Sequence, residues 1–303
     1  ARICEVYPRQ TPQYRKGHEL ISIGSRFYGN LALFWFSGAM LLLRSTLFQV
    51  LFYTVTFVEM ILFSPVMLLP RKWGWPIVPF WSRSLIWLMR VVAGLKVEIR
   101  GRENLPDGGY IAAMKHQSAW ETVALIPLFS SPTFILKREL RWIPIFGWYT
   151  AKYRQIPINR GKRSEALAAM MEAAKEAIDE ERQIMIFPEG TRRPAGAEPK
   201  YKYGITHLYR DLKCPVVPIA HNAGLYWPRS SWKVYPGTVI VDILPPIEPG
   251  LSNDVFYEQL VDTIETASNK LIEEARGAQN PSPVLRNLET VKQAASAQAM
   301  SSQ

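Results

Sequence analysis

Ile184-Met185-Ile186-Phe187-Pro188-Glu189-Gly190-Thr191-Arg192 is an apolar run that stops at proline and then offers a carboxylate, a glycine, a hydroxyl and a guanidinium. The apolar part reads as a short buried strand. A strand end is where an α/β protein places its ligands. Glycine lets a ligand approach the backbone, and Arg192 with Arg193 offers planar, bidentate recognition of phosphate. Short charged turns are commonly nothing more. A fixed six-residue string such as Phe187 to Arg192, however, arises by chance in roughly one chain per hundred thousand or rarer.

Outward from this stretch the same strand-like runs recur, separated by helical patterns. Lys96-Val97-Glu98-Ile99 alternates, Tyr110 to Met114 is a second strand and Thr133 to Leu136 a third. Ser164 caps a helix whose apolar face is Leu167, Met170, Met171, Ala174 and Ile178. A helical Tyr203–Leu212, strands at Val216–Ala220 and Val234–Leu244, and a final amphipathic helix through Phe256, Leu260, Ile264, Ala267 and Leu271 complete the series. Strands alternating with helices predict an α/β fold over residues 94–277, a largely parallel mixed sheet flanked by helices. Beyond it, residues 278–303 are rich in Ala, Ser, Gln and Asn and read as a disordered tail.

The N-terminal side has a different character. Residues 1–30 are a polar extension, expected to be poorly ordered, and no role is expected for His18 within it. Leu31-Ala32-Leu33-Phe34-Trp35-Phe36 opens an apolar segment that Arg44 interrupts. Leu47 to Leu69 then carries only Gln49 and Glu59 as strongly polar members and is long enough to span a bilayer. Glu59 and Pro65 argue against a simple span. Arg71, Lys72, Trp73 and Trp75 form the basic-aromatic flank of a membrane interface, and Phe80 to Val92 reads as an interfacial helix. Residues 31–93 are therefore expected to be a membrane-associated helical segment. A hairpin dipping into one leaflet fits as well as a true span, and the soluble alternative is a pair of buried helices.

Composition narrows the partners. The net charge is +10 over 303 residues, of which 48% are apolar. That charge suits nucleic acid or an anionic membrane surface. No basic-aromatic repeat of a nucleic-acid module is present, so no nucleic-acid partner is expected and the membrane is preferred. Cys4 and Cys214 make neither a disulfide framework nor a zinc site, and no Cys/His pattern has metal-ligand spacing, so no metal is expected. Cys214, beside Pro215, reads as a buried thiol.

His116 follows the second strand, and Glu121 comes five residues later. A histidine with a carboxylate on its far nitrogen is the usual general base. Residues five apart stand about 140° apart on a regular helix and do not meet there. They meet if His116 lies at the strand-to-helix turn and Glu121 in the first helical turn. Taken alone the pair is common, arising by chance in roughly one chain in three. His207 reads as a surface or packing residue; His221, after the last strand run, is left between lining the site and structure.

Four blocks occur in order: His116-x4-Glu121; Lys137-Arg138-Glu139-Leu140 with Pro144 and Gly147; Phe187 to Arg192; and Val217-Pro218-Ile219-Ala220. This order resembles the glycerophospholipid acyltransferases, particularly the 1-acylglycerol-3-phosphate acyltransferases, over roughly residues 47–275. The first block of that family usually ends in aspartate, and Glu121 departs from it by one methylene. The resemblance implies acyl transfer from a thioester, acyl-CoA or acyl-carrier protein as co-substrate without a cofactor, to the hydroxyl of lysophosphatidate. It implies His116 as base and Glu121 as its orienting carboxylate, Arg192 with Lys137 or Arg138 on the acceptor phosphate, and Glu189, Gly190 and Thr191 shaping the acceptor site. Ser118 need not be a nucleophile and is expected to cap a helix. The implied location is a bacterial inner membrane with the catalytic domain on the cytoplasmic face. Glycerol 3-phosphate, another lysolipid such as a lyso-ornithine lipid, and a catalytically silent lipid-binding homologue remain alternatives. A metal-dependent phosphohydrolase lacks its ligand cluster.

Overall fold

The computed structural model describes residues 38–158, 163–286 and 288. The polar extension with Cys4 and His18, the apolar start at Leu31–Phe36, the side chains of Ser164 and Leu167, and the end of the expected tail lie outside the described residues. The chain divides into two compact units, Ala1–Arg44 and Ser45–Gln303. Of the first, the described part is the opening of a helix from Gly38; the sheet and all that follows belong to the second.

Helix α1, Gly38–Leu62, is long and apolar enough to cross a membrane. It stops just before Pro65, which opens a tight 3-10 turn over Ser64–Leu68. A proline inside the helix would remove a backbone hydrogen bond and clash with the preceding turn. Helix α2, Ile77–Leu88, continues into a π-turn, Met89–Ala93, closed by Gly94 in the left-handed region. The two helices are tied by the Trp81 indole donating to Thr56 Oγ1 (3.3 Å) and the Ser84 hydroxyl donating to Glu59 (3.2 Å). The polar residue that spoke against a simple span is thus partnered inside a helical hairpin. One side of α1 packs on the domain: Phe48 and Phe52 meet Trp227 edge-on at 5.2 and 5.5 Å. Ser45 exchanges hydrogen bonds with the Val234 backbone. Phe57, Val58 and Ile61 remain exposed on α1, so the reading as two buried helices does not hold.

Seven strands follow: β1 Leu95–Arg100, β2 Tyr110–Met114, β3 Pro132–Lys137, β4 Ile156–Ile158, β5 Gln183–Ile186, β6 Val216–His221 and β7 Gly237–Ile243. They form one sheet in the order β1-β7-β6-β2-β5-β3-β4. The five strands from β6 to β4 run parallel, β7 runs antiparallel to β6, and β1 is parallel to β7. Alternate side chains of β2 feed opposite layers, Ala112 and Met114 one core, Ile111 and Ala113 the other. The first core packs under α1, α2 and the short α3, Glu121–Ala124, through Phe48, Leu85 and Val123. The second packs under α5 (Arg163–Asp179), α6 (Ile205–Leu212) and α7 (Asn253–Arg276) through Met170, Leu208 and Phe256. Helix α4, Phe146–Lys152, lies between β3 and β4.

The expected mixed sheet flanked by helices is present, with two differences. β4 was not anticipated, and the last strand is shorter than the alternating run and reverses direction. The stretch expected to begin a tail is held in place as far as it is described: Leu285 is buried, and the Ser282 hydroxyl donates to the Leu225 carbonyl.

Candidate active site

The register of the sheet assembles the four sequence blocks. Ala113 of β2 pairs with Ile186 of β5, and Met114 with Ile219 of β6, while β3 lies on the other side of β5. These strands are parallel, so the residues just past their C-terminal ends come together at one edge of the sheet. That edge is where open α/β sheets bind ligands.

His116 stands two residues past β2 and Glu121 opens α3, the strand-to-helix turn the spacing required. Glu121 Oε1 lies 2.9 Å from His116 Nδ1, and the carboxylate also accepts the Gln117 and Ser118 backbone N–H groups at 2.9 and 2.8 Å. Glu121 is fully buried. Burial alone would push its carboxyl upward, but the hydrogen bond with His116, the electrostatic attraction of His221 and His116 and the Ser118 N–H together outweigh it and hold the group below the usual carboxylate value. An ionised Glu121 fixes the proton on Nδ1 and leaves Nε2 as the basic nitrogen. The added methylene is accommodated because the carboxylate folds back over the turn it caps. Ser118 Oγ accepts the Trp120 N–H at 3.1 Å, a local cap within the same turn.

The Phe187–Arg193 turn grips the His116 loop. Phe187 stacks on the His116 ring at 4.1 Å, Glu189 Oε1 accepts the His116 N–H at 3.2 Å, and the Arg193 N–H donates to the His116 carbonyl at 2.8 Å. Gly190 closes the turn onto the Phe187 carbonyl with φ +69°, which glycine adopts without a Cβ penalty. Behind the turn, buried Lys115 pairs with Glu189 at 3.2 Å and with Glu265 of α7, which also accepts the Tyr201 hydroxyl at 2.7 Å. Burial pushes the Glu189 carboxyl upward against the pull of Lys115 and the His116 N–H.

His116 opens on a cavity of about 1370 Å³. Lys137, Gly190, Thr191 and Arg192 line it too, together with Lys202 and Arg229, which the sequence did not single out. Arg229 donates to the Arg192 carbonyl at 2.7 Å. Apolar walls come from α1, α2 and α4, including Phe52, Met60, Trp81 and Tyr149. Two of the anticipated substrate contacts stand elsewhere. Glu189 is buried behind the turn, holding Lys115 and the His116 backbone. Arg138 faces a separate shallow depression on the surface. His221 does not line the cavity: it is buried, its Nε2 donates to the Lys115 carbonyl at 2.8 Å and its Nδ1 accepts the Ala223 N–H at 3.3 Å. Burial lowers its pKa and keeps it neutral. His207 is half-buried on α6. Burial pushes the Cys214 thiol up to about 11, consistent with an inert thiol. Among the described residues no group of His, Cys, Asp or Glu is arranged to hold a metal ion.

An α/β sheet that presents a His–carboxylate pair beside basic groups in a large, apolar-walled cavity defines a class of enzyme acting on anionic lipids. The family model for Acyltransferase matches residues 96–222. A 1-acyl-sn-glycerol-3-phosphate acyltransferase of Pseudomonas aeruginosa is 43% identical over 180 residues, covering 56% of this chain and 70% of that one. The Saccharomyces cerevisiae enzyme of the same name is 30% identical over 196 residues, covering 61% and 65%. The crystal structure of the 1-acyl-sn-glycerophosphate acyltransferase of Thermotoga maritima superposes with a TM-score of 0.67 at 22% identity, over 80% of this chain and 100% of that one. The chain belongs to the acyltransferase family, with the 1-acyl-sn-glycerol-3-phosphate acyltransferases.

Proposed function

We propose that the chain transfers a fatty acyl group from a thioester to the free hydroxyl of 1-acylglycerol 3-phosphate, forming phosphatidate. The observation that carries this reading is the 2.9 Å His116–Glu121 pair opening on a cavity that Lys137 and Arg192 also line. In the reaction His116 Nε2 takes the acceptor's hydroxyl proton as that oxygen attacks the thioester carbonyl. Glu121 stabilises the imidazolium that forms. Collapse of the tetrahedral intermediate breaks the C–S bond, and the imidazolium returns the proton to the departing thiolate, so no acyl-enzyme is needed. Lys137 and Arg192 hold the acceptor phosphate, with Gly190 and Thr191 shaping the approach to it. A volume of about 1370 Å³ exceeds the roughly 300–1,000 Å³ of an ordinary small-molecule pocket and suits a lipid acceptor with an acyl donor.

The donor is acyl-CoA or acyl-carrier protein, and both are water-phase molecules of the cytoplasm. That favours a bacterial inner membrane with the α/β domain, residues 94–277, on its cytoplasmic face. Residues 31–93 attach it. Because one side of α1 is already packed on Trp227 and Val234, a helix lying along one leaflet fits better than a free span.

Acyl transfer by detergent-purified protein, offered labelled lysophosphatidate, glycerol 3-phosphate and other lysolipids, tests the reading. His116→Ala should lower kcat by at least about 10²–10⁴. Arg192→Ala should raise the KM for lysophosphatidate by roughly tenfold or more, the loss of one charge-assisted contact. Full activity in His116→Ala, or binding of lysophosphatidate by the wild type without acylation, would sink it.

A further inference from the structure

The segment between β3 and α4 turns large apolar side chains outward. Trp142 is 77% exposed, Trp148 62% and Ile143 46%. Isolated exposed apolar residues need no explanation, but a cluster of them marks an interaction site. Here they follow exposed Arg138 and Arg141, which flank exposed Glu139, and both arginines and both tryptophans line one depression of about 320 Å³. The backbone is shaped to hold them there. Ile145 has φ 65° and ψ −54°, with the Phe146 N–H donating to the Pro144 carbonyl at 2.7 Å, a sparsely populated γ-turn for a β-branched residue. Gly147 lies so close to the Arg141 carbonyl that an added Cβ would meet it at 2.0 Å.

A second observation places this surface beside the apolar helix. Helix α4 and the residue after it are fastened to the end of α1 and the chain that follows: Lys152 donates to the Met67 and Leu69 carbonyls, Tyr149 to the Met60 carbonyl at 3.0 Å and Tyr153 to the Gly74 carbonyl at 2.7 Å. That stretch carries its own exposed Leu68, Lys72 and Trp73. The surface is therefore continuous with the foot of the apolar helix. Tryptophan interleaved with Arg and Lys is the composition of the head-group layer.

We propose that residues 138–148 form a second membrane-contact surface, in which Trp142, Ile143 and Trp148 enter the head-group layer of an anionic bilayer and the Arg138–Arg141 depression takes a lipid phosphate. The inference rests on the membrane-attached reading and is independent of the acyl-transfer reaction. Phe146 and Tyr149, which line the large cavity, lie on the same segment and helix, so seating this surface brings that wall of the cavity to the bilayer.

Full-length protein carrying Cys4→Ser is spin-labelled at Ile143→Cys or, as a control on exposed α7, at Glu258→Cys, and bound to vesicles of phosphatidylethanolamine and phosphatidylglycerol. The label at 143 should be reached by oxygen and shielded from a water-soluble nickel complex, with the reverse at 258. Equal nickel access at both positions overturns the proposal, and equal shielding of 143 on pure phosphatidylcholine overturns the arginine assignment. The exposed variants Trp148→Ala and Arg141→Gln, combined, should lose about tenfold activity on vesicle-embedded lysophosphatidate and little on a short-chain, water-soluble form. Equal loss on both substrates also overturns it. The label readout needs no turnover, so failure of the contact surface is distinguishable from failure of the reaction.

Discussion

Glu121 sits where the family's pattern has aspartate, and its carboxylate still lies 2.9 Å from His116 Nδ1 because it wraps onto the Gln117 and Ser118 N–H groups. In the proposed reaction it sets the tautomer and balances the imidazolium, which charge does and an amide does not. Glu121→Gln should therefore lower kcat by about 10³–10⁴ with KM nearly unchanged. Glu121→Asp shortens the reach while keeping the charge and should stay within roughly tenfold of wild type. Steady-state kinetics on the three proteins decides, and a fully active Gln variant removes the orienting role. The pairing was legible from the spacing once His116 was assigned to the turn. The function of Glu189 was not: its place in the Phe187–Arg192 string suggested substrate, whereas its oxygen holds the His116 backbone.

Helix α7 reaches the His116 loop through one carboxylate, half-buried Glu265 on buried Lys115, with the Tyr201 hydroxyl as the third partner. Glu265→Ala leaves Lys115 with Glu189 as its remaining carboxylate and should cost about 1–3 kcal/mol. Adding Lys115→Met strips buried Glu189 of its cation, so the double variant should be less stable still. Urea unfolding of the single and double variants measures both; equal stability of wild type and Glu265→Ala refutes the coupling. No periodicity in α7 announced this contact, because Glu265 lies 150 residues from Lys115 and reads as an ordinary helix carboxylate. Most strands were legible from apolar runs or alternation. β4 was not, since Ile156-Pro157-Ile158 is three residues with a proline and gives no period to read. Nor was the reversal of β7, because alternation records which faces are covered and is the same in either direction.

Acid should unsettle the whole molecule through two buried groups, both at the His116 loop. His221 is held neutral by burial, so its folded pKa lies below the ordinary value of about 6.5. The unfolded chain binds that proton first, and stability begins to fall as pH drops below about 6.5. Glu121, also lowered, contributes stability that is complete above about pH 4.3 and is lost as pH falls through its folded value. Urea midpoints measured from neutral to acid pH should show the earlier decline, and His221→Gln should abolish it while keeping the later one. A His221→Gln profile identical to wild type refutes the assignment. By itself the sequence determined the class of fold, the apolar N-terminal helix and the four blocks, because these depend on local periodicity and on residue chemistry at fixed spacing. Only the tertiary structure decided that Glu189 and His221 brace the loop, that Lys202 and Arg229 join the cavity, and that Arg138 faces away. Those outcomes depend on which strands lie side by side and which way each side chain leaves its backbone, and contacts between residues distant along the chain leave no local period in it.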